Sequence, residues 1–219
     1  MAKEYKKNGM KHNKFTITNC KGICETRNFL RTYYREQKKY DGVVYIDDDI
    51  DDIFEFINKK MIKSLPDLKQ FLDQAFKTTK EKNLNLFGVS ALHNPFFLSA
   101  VVSTNLKYVC GAFCGEIIDR DKHQIHCDVD HFEDFQFTME HFLRDGGVVR
   151  FNGIGLKTKY FETKGGICES LGGLEARQIQ MNENMNYLAD RYGDMCRVTH
   201  KKFGTDLRLN HFFKIENYL

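Results

Sequence analysis

Three adjacent aspartates, Asp47, Asp48 and Asp49, stand directly after the apolar run Val43-Val44-Tyr45-Ile46, and Asp51 and Asp52 follow beyond Ile50. Carboxylates crowded in this way repel one another unless something positive sits among them. A hard divalent cation, Mg2+ or Mn2+, is the natural partner, because it takes oxygen ligands and shares them with phosphates. On an extended segment residues i and i+2 point the same way, so Asp47 and Asp49 face one site while Asp48 turns elsewhere. A metal held there bridges the two phosphates of a nucleotide-sugar and neutralises the diphosphate as the sugar departs. The plainer reading is an acidic turn capping a following helix. A cap needs one acid, whereas five stand within six positions.

Other chemistry-bearing groups are less specific. Glu133-Asp134 opens a predicted helix, where acids complement the helix dipole on any protein. Lys157 to Gly173 is rich in Gly, Lys and Thr, with Lys164-Gly165-Gly166 at its centre. Its backbone amides and lysines suit a loop that closes over an anionic donor, or equally a solvated surface. His123, His126 and His131 lie near Cys127, but their spacing matches no zinc motif. Arg27 and Asn28 on an early helix are either nucleotide-holding groups or ordinary surface and capping residues.

The elements that must position these groups alternate. The spacing predicts a helix from Gly22 to about Lys39, with Ile23, Leu30, Tyr33 and Tyr34 on one apolar side. Val43 to Ile46 reads as a buried strand of the central parallel kind, which puts the aspartates at its carboxyl end, where open α/β sheets bind ligands. Ile50 to Met61 reads as helix, and Pro66-Asp67 starts another that runs to about Lys80. Strands are expected at Leu86–Leu92, Tyr108–Ile118, Val148–Phe151, Met195–Thr199 and Leu207–Phe213. Helices are expected over His131–Leu143, stopped by Gly146-Gly147, and over Leu174–Tyr192, stopped by Gly193. The alternation predicts an α/β sandwich around a mostly parallel sheet.

The 219 residues suit one α/β domain, and 42% hydrophobic residues with 19 Phe give it a core. No linker-like, repeated or membrane-length apolar stretch occurs, and the first fourteen residues are basic and polar rather than signal-like. Seven cysteines form an odd set, which favours reduced thiols and a cytoplasmic setting over a disulfide framework. Net charge is +3 but uneven: Met1 to Tyr40 carries eleven Lys/Arg against three acids, and Asp41 to Phe56 carries seven acids and no base. The basic arm suits phosphate-bearing partners including DNA, or a solvated helix face.

The stretches KGICETRNFLRTYY (Lys21–Tyr34), VVYIDDDI (Val43–Ile50), HNPFF (His93–Phe97), HFEDFQFTMEHF (His131–Phe142), VVRFN (Val148–Asn152), KYFETKGGI (Lys159–Ile167) and LADRY (Leu188–Tyr192) occur in that order. Together they resemble the TET-associated glycosyltransferases of phages and other viruses, enzymes of the GT-A fold that transfer sugars onto hydroxymethylated pyrimidines in DNA. The resemblance implies a three-layer α/β/α sandwich and an inverting enzyme that uses a nucleotide-diphosphate-sugar, a UDP-hexose, with Mn2+ or Mg2+. It implies that Asp47 and Asp49 form the DxD pair, with Asp49 on the metal and Asp47 on the ribose or the metal through water. Asp48 belongs to the same donor segment. Arg27, Asn28, Lys164, Gly165 and Gly166 would help hold the nucleotide, and His200 would be a late extra metal ligand. The base that takes the proton of the acceptor hydroxyl would be Asp134, with Glu133 as second choice.

The family pattern begins with a strand and a nucleotide-holding loop upstream of the first helix. Only about twenty residues precede that helix here, so the chain reads as shortened at its N-terminus, with the missing part supplied by a separate polypeptide or the activity lost. Two other functions compete: metal-dependent nucleotidyl or phosphoryl transfer, and a noncatalytic DNA-binding module that uses the basic arm. Neither GxSxG nor GxxxxGK[ST] occurs, which excludes the hydrolase elbow and the P-loop.

Overall fold

In a computed structural model of the chain, residues 19–158, 174–201 and 204–217 are described. The elements run α1 (Gly22–Glu36), β1 (Gly42–Ile46), β2 (Ile50–Asn58), β3 (Met61–Ser64), α2 (Leu68–Glu81), β4 (Leu86–Ser90), β5 (Val102–Ser103), β6 (Phe113–Ile117), α3 (Glu133–Asp145), β7 (Val149–Thr158), α4 (Leu174–Tyr192), β8 (Cys196–Lys201) and β9 (Gly204–Leu209). Seven strands form one sheet in the order β1-β6-β4-β7-β2-β3, with β5 paired to β7, and β8-β9 is a separate hairpin.

The fold is mixed α/β, but the sheet corrects the expectation of mostly parallel strands. Only β4 and β7 pair in parallel; β1–β6, β4–β6, β2–β3, β2–β7 and β5–β7 are all antiparallel. The reason lies in the connections. Parallel neighbours need a long crossover, and the two residues between Asn58 and Met61 permit only a hairpin, its turn held by Lys60 N–H donating to Asn58 Oδ1 at 2.9 Å.

The same hairpin overturns the helix expected over Ile50–Met61. Ile50, Ile53, Phe54 and Ile57 have helical spacing, but Ile53-Phe54-Glu55-Phe56-Ile57 is equally a run of the β-branched and aromatic residues that favour strands. Pairing on both sides, to β3 and to β7, decides for the strand. Val43–Ile46 is a strand as expected, yet β1 is an edge strand antiparallel to β6. The central strand is β4, buried at all five positions.

Helices cover both faces of the sheet. One core cluster joins Tyr45, Leu86, Cys114 and Val148 to Phe137, Met139, Met185 and Leu188, and the hairpin adds Cys196, Leu207 and Leu209. The opposite cluster packs Ala75 and the flanking Phe71, Leu72 and Phe76 of α2 against Phe87, Val89, Phe113, Val149 and Phe151. Local signals explain the helix ends. Asp67 accepts from Gln70 N–H at 2.8 Å and starts α2, and Gly146, at φ +81°, ends α3. Gly193 opens a short 3-10 turn behind α4. The six described cysteines are free thiols, five of them buried.

The α1 helix departs from its expected apolar stripe. Its buried residues are Cys24, Arg27 and Arg31, so two guanidinium groups face inward. Asp130 Oδ1 accepts from Cys24 N–H at 3.2 Å and tethers the start of the helix. Buried arginines need carboxylates beneath them, and those belong to the candidate site.

Candidate functional site

β1, β4 and β7 run in one direction, and Asp47–Asp49 follow β1 at their shared carboxyl edge. Asp47 N–H donates to Ala112 O at 2.9 Å, which docks the acidic segment on the loop before β6. From α1, Arg27 reaches into this corner. Its Nη2 donates to Asp47 Oδ1 at 3.1 Å and to Gly111 O at 2.8 Å, while its Nη1 donates to Glu133 Oε1. Gly111 N–H in turn donates to Asp134 Oδ2 at 3.0 Å, and Tyr108 OH donates to the same oxygen. Asp47 and the Glu133-Asp134 pair, 86 and 87 positions apart in sequence, therefore meet in one hydrogen-bonded cluster.

Within the acidic segment the carboxylates divide. Asp51 pairs with Lys157 at 2.6 Å, and Asp52 accepts from Ser64 OH at 2.7 Å, so both serve the β2 strand. Asp48 is exposed. Asp49 Oδ1 is buried with no hydrogen-bond partner among the described residues. A buried carboxylate oxygen left without a donor is costly, and a cation is one group that would relieve it. Burial raises the Asp47 carboxyl above its ordinary range, and the charge of Asp49 raises it further against the lowering effect of Arg27. Asp47 and Asp49 thus share one electrostatic environment, and they fit a Mg2+ or Mn2+ ion of the kind held by one or two carboxylates with phosphate oxygens and water.

His200 does not join them. It is exposed on β8, its Nδ1 3.4 Å from Thr205 Oγ1, and among the described residues no group of three His, Cys, Asp or Glu gathers as a metal site. Lys164, Gly165 and Gly166 lie outside the described residues, as does most of the basic arm; Lys157 and Thr158 belong to β7.

Glu133 and Asp134 stand in different surroundings. Glu133 is 3% exposed and is held by Arg27 and, at 3.6 Å, by Arg31, whose guanidinium also lies 3.7 Å over the Phe137 ring. Asp134 is half-buried. Its Oδ1 accepts from the Phe135 N–H at 3.0 Å in the first turn of α3. Asn28 is a clamp: Oδ1 accepts from Cys127 N–H at 3.0 Å and Nδ2 donates to Cys127 O at 2.8 Å. Arg27 keeps its charge; burial opposes it, but Cys114, Asp47 and Asp134 outweigh burial and raise its pKa.

Three participants were not singled out by residue type: Tyr108, Gly111 and Arg31. Burial and the neighbouring Asp134 carboxylate raise the Tyr108 hydroxyl well above its ordinary range, so it stays a donor. Gly111 is required by space, because a Cβ there would collide with the Arg27 guanidinium and approach Asp134 Cβ to 3.1 Å. The glycine between two cysteines in VCGAFC was the one sequence signal for such a close approach. Comparison of the chain with protein-family models, with curated proteins and with solved structures finds no match.

Proposed function

We propose that the chain is a metal-dependent, inverting glycosyltransferase that moves a hexose from a nucleotide-diphosphate-sugar of the UDP type to a hydroxyl acceptor. Hydroxymethylated pyrimidine in DNA is the acceptor implied by the resemblance. The observation that carries the reading is the bridge from Asp47 through Arg27 and Gly111 to Asp134, which puts a cation-binding carboxylate pair and a candidate base in one cluster. The finer fold reading, a GT-A-like three-layer sandwich, belongs to this proposal. Helices on both faces of the sheet support its layering.

Asp49 and Asp47 would hold Mg2+ or Mn2+, which when bound neutralises the departing diphosphate. Arg27 orients Asp47. Asp134 takes the proton of the acceptor hydroxyl as its oxygen forms the new bond to the anomeric carbon and the bond to the diphosphate breaks. Tyr108 OH and Gly111 N–H fix one oxygen of Asp134 and leave the other for the acceptor. Glu133, enclosed by two arginines, positions Arg27.

Calorimetric titration of UDP-glucose and then other nucleotide-sugars, with and without Mn2+, tests the reading. Metal-dependent binding that disappears in Asp49→Ala is the expected result. Binding that ignores both the metal and the substitution, or no binding of any nucleotide-sugar, would overturn it.

A further inference from the structure

A second site lies beyond Tyr108. A cavity of about 770 Å3 is walled by Tyr108 and Phe135 on one side and by the β8–β9 hairpin and its exit on the other, with Arg197, Arg208, His211 and Phe212 among its lining. Arg197 and Arg208 are direct cross-strand partners in the hairpin register. Side chains opposite one another in an antiparallel pair are close neighbours, and like charges there are unfavourable unless an anion lies between them. Two carboxylates lie nearby, Asp194 in the cavity wall and Asp206 beside Arg208. The nearest carboxylate to Arg208 is Asp206 at 4.0 Å with both side chains largely exposed, and Arg197 has no ion pair among the described residues.

The opposite wall is aromatic. Tyr108 and Phe135 stack with ring centroids 4.3 Å apart, and Phe212 stands 91% exposed at the rim. Its neighbour His211 is fixed through Nδ1, 2.9 Å from Leu106 O, and Asn105 holds the His211 carbonyl at 2.9 Å. An exposed phenylalanine on an anchored segment, lining the same cavity as a guanidinium pair, matches a ligand with both a planar ring and a phosphate.

We infer that this cavity binds a nucleotide, with its phosphate on Arg197 and Arg208 and its base against the aromatic wall. The shared chemistry has two sources, a free mononucleotide or a nucleotide within a single strand. The site stands apart from the Asp47–Asp49 donor reading.

The test uses the full chain, with UMP by calorimetry and a labelled eight-residue oligothymidylate by fluorescence anisotropy at several salt concentrations. One or both probes should bind, and Arg197→Gln/Arg208→Gln should weaken that binding by about tenfold or more. Phe212→Ala, at a solvent-exposed position, should weaken it as well. Tight oligonucleotide binding with a steep salt slope identifies the strand as source; UMP binding alone identifies the free nucleotide. The same double variant should still bind UDP-glucose with Mn2+ as the wild type does, and Asp49→Ala should still bind the probes, so the two sites fail separately. No binding of either probe to the wild type, or unchanged binding in both variants, would overturn the inference. Loss of UDP-glucose binding in the arginine variant would overturn it as a separate site.

Discussion

At the scale of single residues, the cluster assigns opposite roles to two adjacent acids. Removing the Glu133 charge leaves Arg31 without its carboxylate in the interior and Arg27 with Asp47 alone. Glu133→Gln should therefore cost about 3–5 kcal/mol of stability, read from urea denaturation. Asp134→Asn should leave the fold and the donor affinity near wild type and lower kcat by about 10^2 to 10^4 in a transfer assay. A reversed pattern, with Asp134→Asn unstable and Glu133→Gln merely inactive, would exchange their roles. Asp47 adds a pH dependence. Its folded pKa is raised, so it protonates on acidification before an ordinary carboxylate does and then cannot serve a cation. Mn2+ affinity should fall as pH drops toward the raised Asp47 pKa, starting above the ordinary aspartate value of 3.8. Calorimetry across pH should show that fall, and Asp47→Asn should flatten it.

At the scale of elements, the cluster depends on how closely α1, α3 and the loop before β6 approach one another. Gly111 is the contact point, holding Arg27 with its carbonyl and Asp134 with its N–H. Gly111→Ala forces the guanidinium aside. The expected result is a loss of about 1–3 kcal/mol, together with weaker metal-dependent donor binding because Asp47 loses its anchor. A thermal melt and a donor titration on the same variant check both effects. The β8–β9 hairpin divides its residues in a comparable way. Leu207 and Leu209 pack into the core, while Arg208 between them remains exposed at the cavity.

Across the whole molecule, a polar spine continues from the cluster beneath α1. Tyr45 OH donates to Glu116 at 3.2 Å, His141 lies 3.7 Å from Glu116 and 3.1 Å from Asp145, and Lys122 and Arg144 close on Asp145 at 3.0 Å and 2.8 Å. Burial works to raise Glu116, but the neighbouring His141, Arg31 and Arg144 prevail and hold it below its ordinary 4.5. Asp145 is likewise depressed: burial raises it, and His141 and Arg144 overcome burial. A depressed carboxylate stabilises the fold above its unfolded pKa and loses that stabilisation as pH falls through the folded value. The urea midpoint should therefore be level near neutrality and drop below about pH 4. In His141→Gln the drop should be smaller and start from a lower plateau. Among the described residues, no helix is long and apolar enough to cross a membrane.

What the sequence determined by itself is whatever acts within a turn or two of chain. The Asp67 cap, the Gly146 stop, the span of α4 and the strand ahead of Asp47–Asp49 were legible because capping, φ preference and apolar runs are local. Crowding within six positions likewise marked the aspartates as a candidate site. Tertiary structure decided what depends on distant partners. Ile50–Asn58 combines helical spacing with strand-favouring residues, and pairing with β3 and β7 selects the strand. Strand direction followed from the connections and not from the apolar run of β1. The sequence left Arg27 between a nucleotide-holding and a surface role and did not single out Arg31; Glu133, 106 and 102 positions away, brings its carboxylate beneath both. A buried charge is stable only where its counter-charge is delivered, and that delivery is a property of the packed fold.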